Sequence, residues 1–281
     1  MNSSMINAMV SMNSLQQKLD LMADNIANVN TVGYKRKEST FEDLLTTLKQ
    51  QPDAFNQPGR LTPMGFNQGW GAKMTMVQSN LTQGTLNGTN LETDLAIEGN
   101  ALFEVIVDQA GNRGYTRNGA FQLTVGENGD TILATKDGYP VVANVTDPNT
   151  GNIIEGNIVV PLGYSLRVNP DGTVQGVSNN GTTIELGSIK LLQPSRPAAL
   201  TAVSDNLFVV ADGLNVGDVL QQIVPDSENA VALRQGYLEQ SNVNLTDELT
   251  ELITVQRAYQ LAARALSSSD TMMSLTNGLR A

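Results

Sequence analysis

The chain reads as an α+β protein: long N- and C-terminal helices paired as a coiled-coil-like terminal domain, with an inserted antiparallel β domain of barrel or sandwich type. Three observations predict this. Apolar residues recur at helical spacing at both ends. Between about Met74 and Gly236 the pattern has period two, broken by Asn87-Gly88, Asn118-Gly119, Asn128-Gly129, Asp137-Gly138, Asp171-Gly172, Asn180-Gly181 and Asp212-Gly213. Such dipeptides supply the positive φ that tight hairpins need. Strands do not alternate with helical segments, so a parallel sheet is not indicated.

The first element is the seam Met5, Met9, Met12, Leu15, Leu19, Met22, Ile26, Val29. Its steps of three and four place one apolar stripe on a helix, close to a coiled-coil seam with a local skip. Asn28, Asn30, Gly33 and Tyr34 follow as stop signals: the asparagines cap backbone groups, Gly33 permits a positive φ, and Tyr34 anchors the turn with its ring. Lys35, Arg36 and Lys37 complement the negative end of the helix dipole.

Phe41, Leu44, Leu45 and Leu48 share one face of a predicted short helix over 41–49. Gln51 to Lys73, rich in Gln, Asn, Pro and Gly, reads as a long irregular connector. Connectors of that length in compact domains are usually functional. Strands are expected at 102–107, 120–125, 139–145, 158–160, 188–192 and 207–210.

The last element carries the matching seam Leu245, Leu249, Leu252, Val255, Tyr259, Ala262, Leu266. Asn244 is placed to cap it, Asp247, Glu248 and Glu251 suit its first turns, and Asn277-Gly278 offers a stop. The predicted organisation is a helical assembly domain from 1–36 and 240–281, a connector with a short helix at 37–75, and a β domain at 76–239. One covered face does not offset the entropy of ordering such a helix. Both ends are therefore expected to become ordered only when several copies meet.

Composition narrows the function. The 281 residues include no Cys and no His, which removes disulfides, thiolate nucleophiles, Cys or His zinc sites and imidazole-based triads. The net charge is −11, and residues 51–235 hold 18 acids against 9 bases. Such a surface lacks the basic footprint of a nucleic-acid binder. No stretch reaches the roughly 18–20 apolar residues of a membrane span. The start lacks the basic and apolar regions of a cleavable signal peptide, so export would use another route. The Gly65 to Gly71 stretch fits no phosphate or dinucleotide fingerprint, and no cofactor is expected.

The segment Asp24 to Lys35, with Asn25, Asn28, Asn30, Thr31, Gly33, Tyr34 and Lys35, resembles the signature after the N-terminal helix of bacterial flagellar rod and hook proteins. Thr93 to Phe103 with Tyr115 to Phe121, and Gly236 to Asn244 with Ser241 and Asn242 leading to Gln256 and Arg257, resemble two further motifs of that family in the same order. The central pair is similar to rod members related to the distal rod protein. The overall cast looks like the flagellar hook-basal body proteins of Gram-positive bacilli. Where the family usually has a Gly and an aromatic, this chain has Asn100-Ala101-Leu102 before Phe103.

The resemblance implies an axial drive-shaft subunit outside the cytoplasmic membrane, in a basal body that traverses the cell wall. Its partners would be copies of itself, other rod and hook subunits, and the flagellar type III export apparatus. The seam residues would then be an assembly interface, and the connector a stiffening insertion. Phe41 and Leu45 resemble the aromatic-x-x-x-aliphatic export signal of such subunits. Met5, Met9, Met12, Met22, Met272 and Met273 lie at the ends, where flexible thioethers suit contacts that repack.

Two rival functions use other features. A carboxylate-based wall hydrolase would need an acidic pair in one cleft, for which Glu92 with Asp94 and Glu104 with Asp108 are candidates by proximity. A β-domain binding module explains the strands but leaves both seams without a role.

Overall fold

A computed structural model describes residues 2–43, 47–50, 65–68, 72–108, 111–126, 129–146, 153–178, 180–204, 206–211, 213–225 and 231–279. It is an α+β chain of two units. One unit comprises described residues within 1–26, 37–78 and 244–281, the other those within 27–36 and 79–243.

In the first unit, helix α1 spans Asn2–Ala27 and ends where the asparagines begin. Asn25 near its end acts on the backbone: its Oδ1 accepts from the Lys37 N–H at 2.9 Å and its Nδ2 donates to the Lys37 carbonyl at 3.0 Å. A side-chain amide thus substitutes for a strand partner. The predicted short helix over 41–49 is not formed. Strand Lys37–Asp43 pairs with Ala72–Ser79 and strand Thr47–Gln50 with Gly65–Gln68. Spacing along one face cannot reveal distant strands that satisfy the same backbone groups. The predicted connector falls mostly outside the described residues.

The long C-terminal helix, Leu245–Gly278, opens as its sequence predicts. Asn244 Oδ1 accepts the Thr246 N–H at 3.0 Å, the hydrogen bond of an N-cap.

The second unit is antiparallel. A six-stranded sheet runs in the order Leu200–Ser204, Leu207–Val210, Arg113–Thr116, Leu102–Ile106, Leu191–Pro194, Leu220–Ile223. A five-stranded sheet runs Ile153–Asn157, Val142–Thr146, Thr183–Ile189, Thr173–Ser178, Tyr164–Val168. Two-stranded ribbons pair Phe121–Val125 with Thr131–Thr135, Leu95–Glu98 with Ala232–Gln235, and Leu86–Gly88 with Tyr237–Glu239. No sheet of described strands closes on itself, so there is no closed barrel.

Side-chain alternation accounts for two cores. Phe103, Val105 and Leu191 join Ala143, Val174 and Ile189 in the larger one, where the Phe103 and Phe121 rings meet edge to face at 5.1 Å. Their neighbours Leu102 and Leu192 point the other way, to Tyr115, Phe208 and Leu220. The apolar run 158–160 forms no strand. Its backbone bonds go sideways to the ribbon, with the Val160 N–H on the Thr131 carbonyl at 2.8 Å and the Leu133 N–H on the Ile158 carbonyl at 3.3 Å.

Candidate functional site

Segment 27–36, expected with the helical ends, belongs to the β-rich unit. A chain of backbone bonds turns it inward: Thr31 N–H donates to the Asn28 carbonyl at 3.1 Å and Tyr34 N–H to the Thr31 carbonyl at 3.3 Å. The Thr31 hydroxyl donates to Asn28 Oδ1 at 2.9 Å. Gly33 adopts φ +71°, and a Cβ there would lie 2.6 Å from the Asn118 nitrogen. Only glycine fits, and its N–H donates to the Glu239 carbonyl at 2.8 Å. Tyr34 is fully buried.

Lys35 follows and reaches the centre of the site. Its Nζ lies 2.7 Å from Glu239 Oε1 and 2.7 Å from the Thr82 carbonyl. Arg117 Nε donates to Glu239 Oε2 at 2.5 Å. The other Arg117 nitrogens donate to the carbonyls of Ala101, Gly99 and Ile97. Gly84 N–H completes the carboxylate shell at 2.7 Å.

The three charged side chains are 1–2% exposed. Two cations thus share one carboxylate, and four carbonyl dipoles take up the excess positive charge. Burial lowers the Lys35 ammonium below its usual pKa against the pull of Glu239, and Arg117 lowers it further.

Asn242 closes the periphery. Its Oδ1 accepts the Arg36 N–H at 2.7 Å, and its Nδ2 donates to the Asn80 and Thr82 carbonyls at 2.9 and 3.1 Å. Ser241 Oγ accepts the Val243 N–H at 3.3 Å.

Gly33, Tyr34, Lys35 and Asn242, named from separate motifs, are therefore brought together. Arg117 and Glu239 lay inside quoted motifs without being singled out. Both sit among polar neighbours, Arg117 between Thr116 and Asn118 and Glu239 before Gln240, so spacing carried no signal of their burial.

Other expected site residues lie elsewhere. Asn25 also meets the buried Glu248 across 3.4 Å, within the helical unit. Gln256 and Arg257 are exposed on the last helix, and Asn30 is exposed after the first. Of the seam residues, Met22 and Val255 are buried. Met5, Met12, Leu15, Leu19, Ile26, Val29, Leu252, Tyr259 and Leu266 are half-buried. Met9, Leu245 and Leu249 are exposed. Phe41 is exposed under the Lys18 ammonium, 5.4 Å from its ring centre, and Leu45 lies outside the described residues.

Neither acidic pair forms a hydrolytic cleft. Glu92 is exposed while Asp94 is buried. Glu104 is ion-paired with Lys190 at 2.8 Å, and the Asp108 carboxylate accepts from the Asn112 N–H and Nδ2 at 3.0 and 2.6 Å. Among the described residues there is no acidic group set to hold a metal, and no helix is long and apolar enough to cross a membrane.

Three family models match the chain in order: flagella basal body rod protein over 5–35, flagellar hook protein FlgE/F/G D1 domain over 96–176, and flagellar basal body rod FlgEFG protein C-terminal over 234–279. The chain is 32% identical to the flagellar basal-body rod protein FlgG of Borreliella burgdorferi, covering 96% of this chain and 95% of that one. It belongs to the flagellar rod FlgEFG family. The flagellar hook-basal body complex protein FlhP of Bacillus subtilis is 32% identical over 99% of both chains. FlgG of the same organism is also 32% identical, over 93% of both. Each matched segment of this FlgEFG-family chain contributes one member of the buried triad: Lys35, Arg117 and Glu239.

Proposed function

We propose that this chain is a structural, non-enzymatic subunit of the flagellar rod that polymerises through its two terminal helices and transmits torque from motor to hook. The observation that carries this reading is the pair of incompletely covered apolar helices. Met9, Leu245 and Leu249 lie 42–55% exposed on the predicted seams, and Ile253, Leu261 and Leu275 lie 49–65% exposed beside them. Apolar stripes left open in one chain gain cover from neighbouring copies. Relatives bearing rod-protein names along nearly the whole chain support the same reading.

In this proposal the helices Asn2–Ala27 and Leu245–Gly278 assemble, paired as a coiled coil. Residues 37–75 connect and stiffen, and 76–239 form an outer β layer of sandwich type. Phe41 and Leu45 mark the subunit for the type III export apparatus. The rod then traverses the cell wall.

The test is substitution on the open stripe. Leu249→Glu and Met9→Glu should leave the monomer folded, abolish polymer by electron microscopy, and leave a null strain without rods beyond this subunit. Normal polymer and motility from both variants would overturn the reading. Amide exchange should slow at both terminal helices only on polymerisation.

A further inference from the structure

Within the helical unit, α1, the last helix and the strand Ala72–Ser79 enclose an apolar hollow of about 290 Å³ that opens at the surface. Its walls are mostly small: Ser11, Ser14, Leu15, Ala72, Val255 and Ala258 line it. Ser14 Oγ lies 3.0 Å from the Val10 carbonyl and 2.5 Å from the Ala72 carbonyl, so the hydroxyl is spent on backbone. The one charged group among the described lining residues, Lys18, is paired with Glu251 and stands over the Phe41 ring at 5.4 Å. The hollow therefore offers contact area and no free polar partner, which suits an aliphatic guest. An apolar cavity of about 150 Å³ holds one benzene-sized group, so this one takes two branched side chains.

The same chain carries a stripe that matches. Along the last helix Val255 and Ser269 are buried, but beyond Ser269 the cover is lost: Met272, Leu275 and Leu279 are 52%, 65% and 87% exposed. Steps of three and four put the three on one face. They cannot reach the hollow of their own chain, because Leu275 follows Ala258 by 17 positions on one unbroken helix. At roughly 1.5 Å per residue that is about 26 Å. A second copy supplies stripe and hollow in equal number, so each stripe meets a receiver of fitting size and chemistry. We propose, resting on polymerisation through the terminal helices, that Leu275 and Leu279 of one copy insert into the hollow between α1 and the last helix of the next. Stripe and hollow are different surfaces of one chain, so the contact is heterologous and repeats from copy to copy.

The chain has no cysteine, so single thiols mark the two surfaces. Ser11→Cys places one at the hollow and Thr276→Cys one beside the stripe, each close in size to the native side chain. Full chains bearing one or the other are polymerised singly and as an equal mixture, and a short bismaleimide is added. The mixture should give covalent dimers, each variant alone should give almost none, and a chain carrying both thiols should give a ladder of multimers. Leu275→Ala/Leu279→Ala, at exposed positions, should raise the concentration needed for polymer about tenfold or more, the loss expected of two anchoring side chains. Polymer visible by electron microscopy in which the mixture links no more than either variant alone would overturn the contact and leave polymerisation through the helices standing, as would an unchanged threshold in the alanine chain. Failure of the unaltered chain to form any polymer would overturn both.

Discussion

Lys35 and Glu239, 204 positions apart in the chain, form an ion pair of 2.7 Å in which both side chains are 1% exposed. The pair fastens the segment leaving the first helix to the strand Tyr237–Glu239, and Arg117 fastens both to the turn at Ile97–Ala101. A buried ionic network of this kind responds unequally to loss of its members, because what matters is the charge left behind.

Glu239→Gln should therefore be the most damaging single change in the triad. It leaves two buried cations without an anion, a loss of about 3–5 kcal/mol. Lys35→Met should cost less, since Arg117 and the Gly84 N–H still hold the carboxylate. Urea unfolding of the full chain measures both, and equal losses would contradict the charge argument.

Gly33→Ala should destabilise through two causes at once, the positive φ and the close backbone of Asn118. Gly138→Ala is the control: φ is +84°, but nothing lies within 4 Å of the added carbon. The control should lose about 1 kcal/mol from backbone strain alone, and Gly33→Ala clearly more. Matching midpoint shifts in urea would show that the approach to Asn118 is not tight.

Tyr115 is buried with a hydroxyl that has no hydrogen-bond partner among the described residues, and burial with the Glu104 charge raises its pKa to about 12. The unfolded phenol ionises near 10.0, so the stability tied to the neutral ring is complete below that pH. It declines as pH rises from 10.0 toward about 12. Tyr115→Phe should remove this alkaline component and be neutral or stabilising by up to about 1 kcal/mol at pH 7. Ultraviolet titration of the phenolates compares the two chains.

Glu155 is held below its ordinary pKa first by the Lys190 hydrogen bond at 2.6 Å, with Arg113 at 3.0 Å adding to it. A depressed carboxylate stabilises the fold above its unfolded pKa of about 4.5 and loses that contribution as pH falls through the folded value. Amide protection in the strand Ile153–Asn157, taken relative to the unstructured exchange rate at each pH, should therefore fall below that pH, and Glu155→Gln should flatten the dependence. An unchanged acid profile in the variant would assign the effect elsewhere.

Legibility in the sequence follows the range of the interaction. The end of α1 and the Asn244 cap depend on neighbours within a few residues, and spacing exposed them. The strand Lys37–Asp43 was hidden, because its face of Phe41 with downstream leucines also suits a helix. Pairing with Ala72–Ser79 decided between the two. The run 188–192 is divided instead between two sheets, Thr183–Ile189 and Leu191–Pro194, with Lys190 between them facing Glu104 and Glu155.

By itself the sequence determined the family, two amphipathic terminal helices and a hairpin-rich middle, since periodicity and turn chemistry are local properties of a chain. The tertiary structure alone decided that Lys35, Arg117 and Glu239 meet, that 27–36 belongs with the β-rich unit, and that Ser11, Ala72 and Val255 line one apolar hollow. Charge becomes decisive only once water is removed around it, and which water is removed depends on residues far apart in the chain.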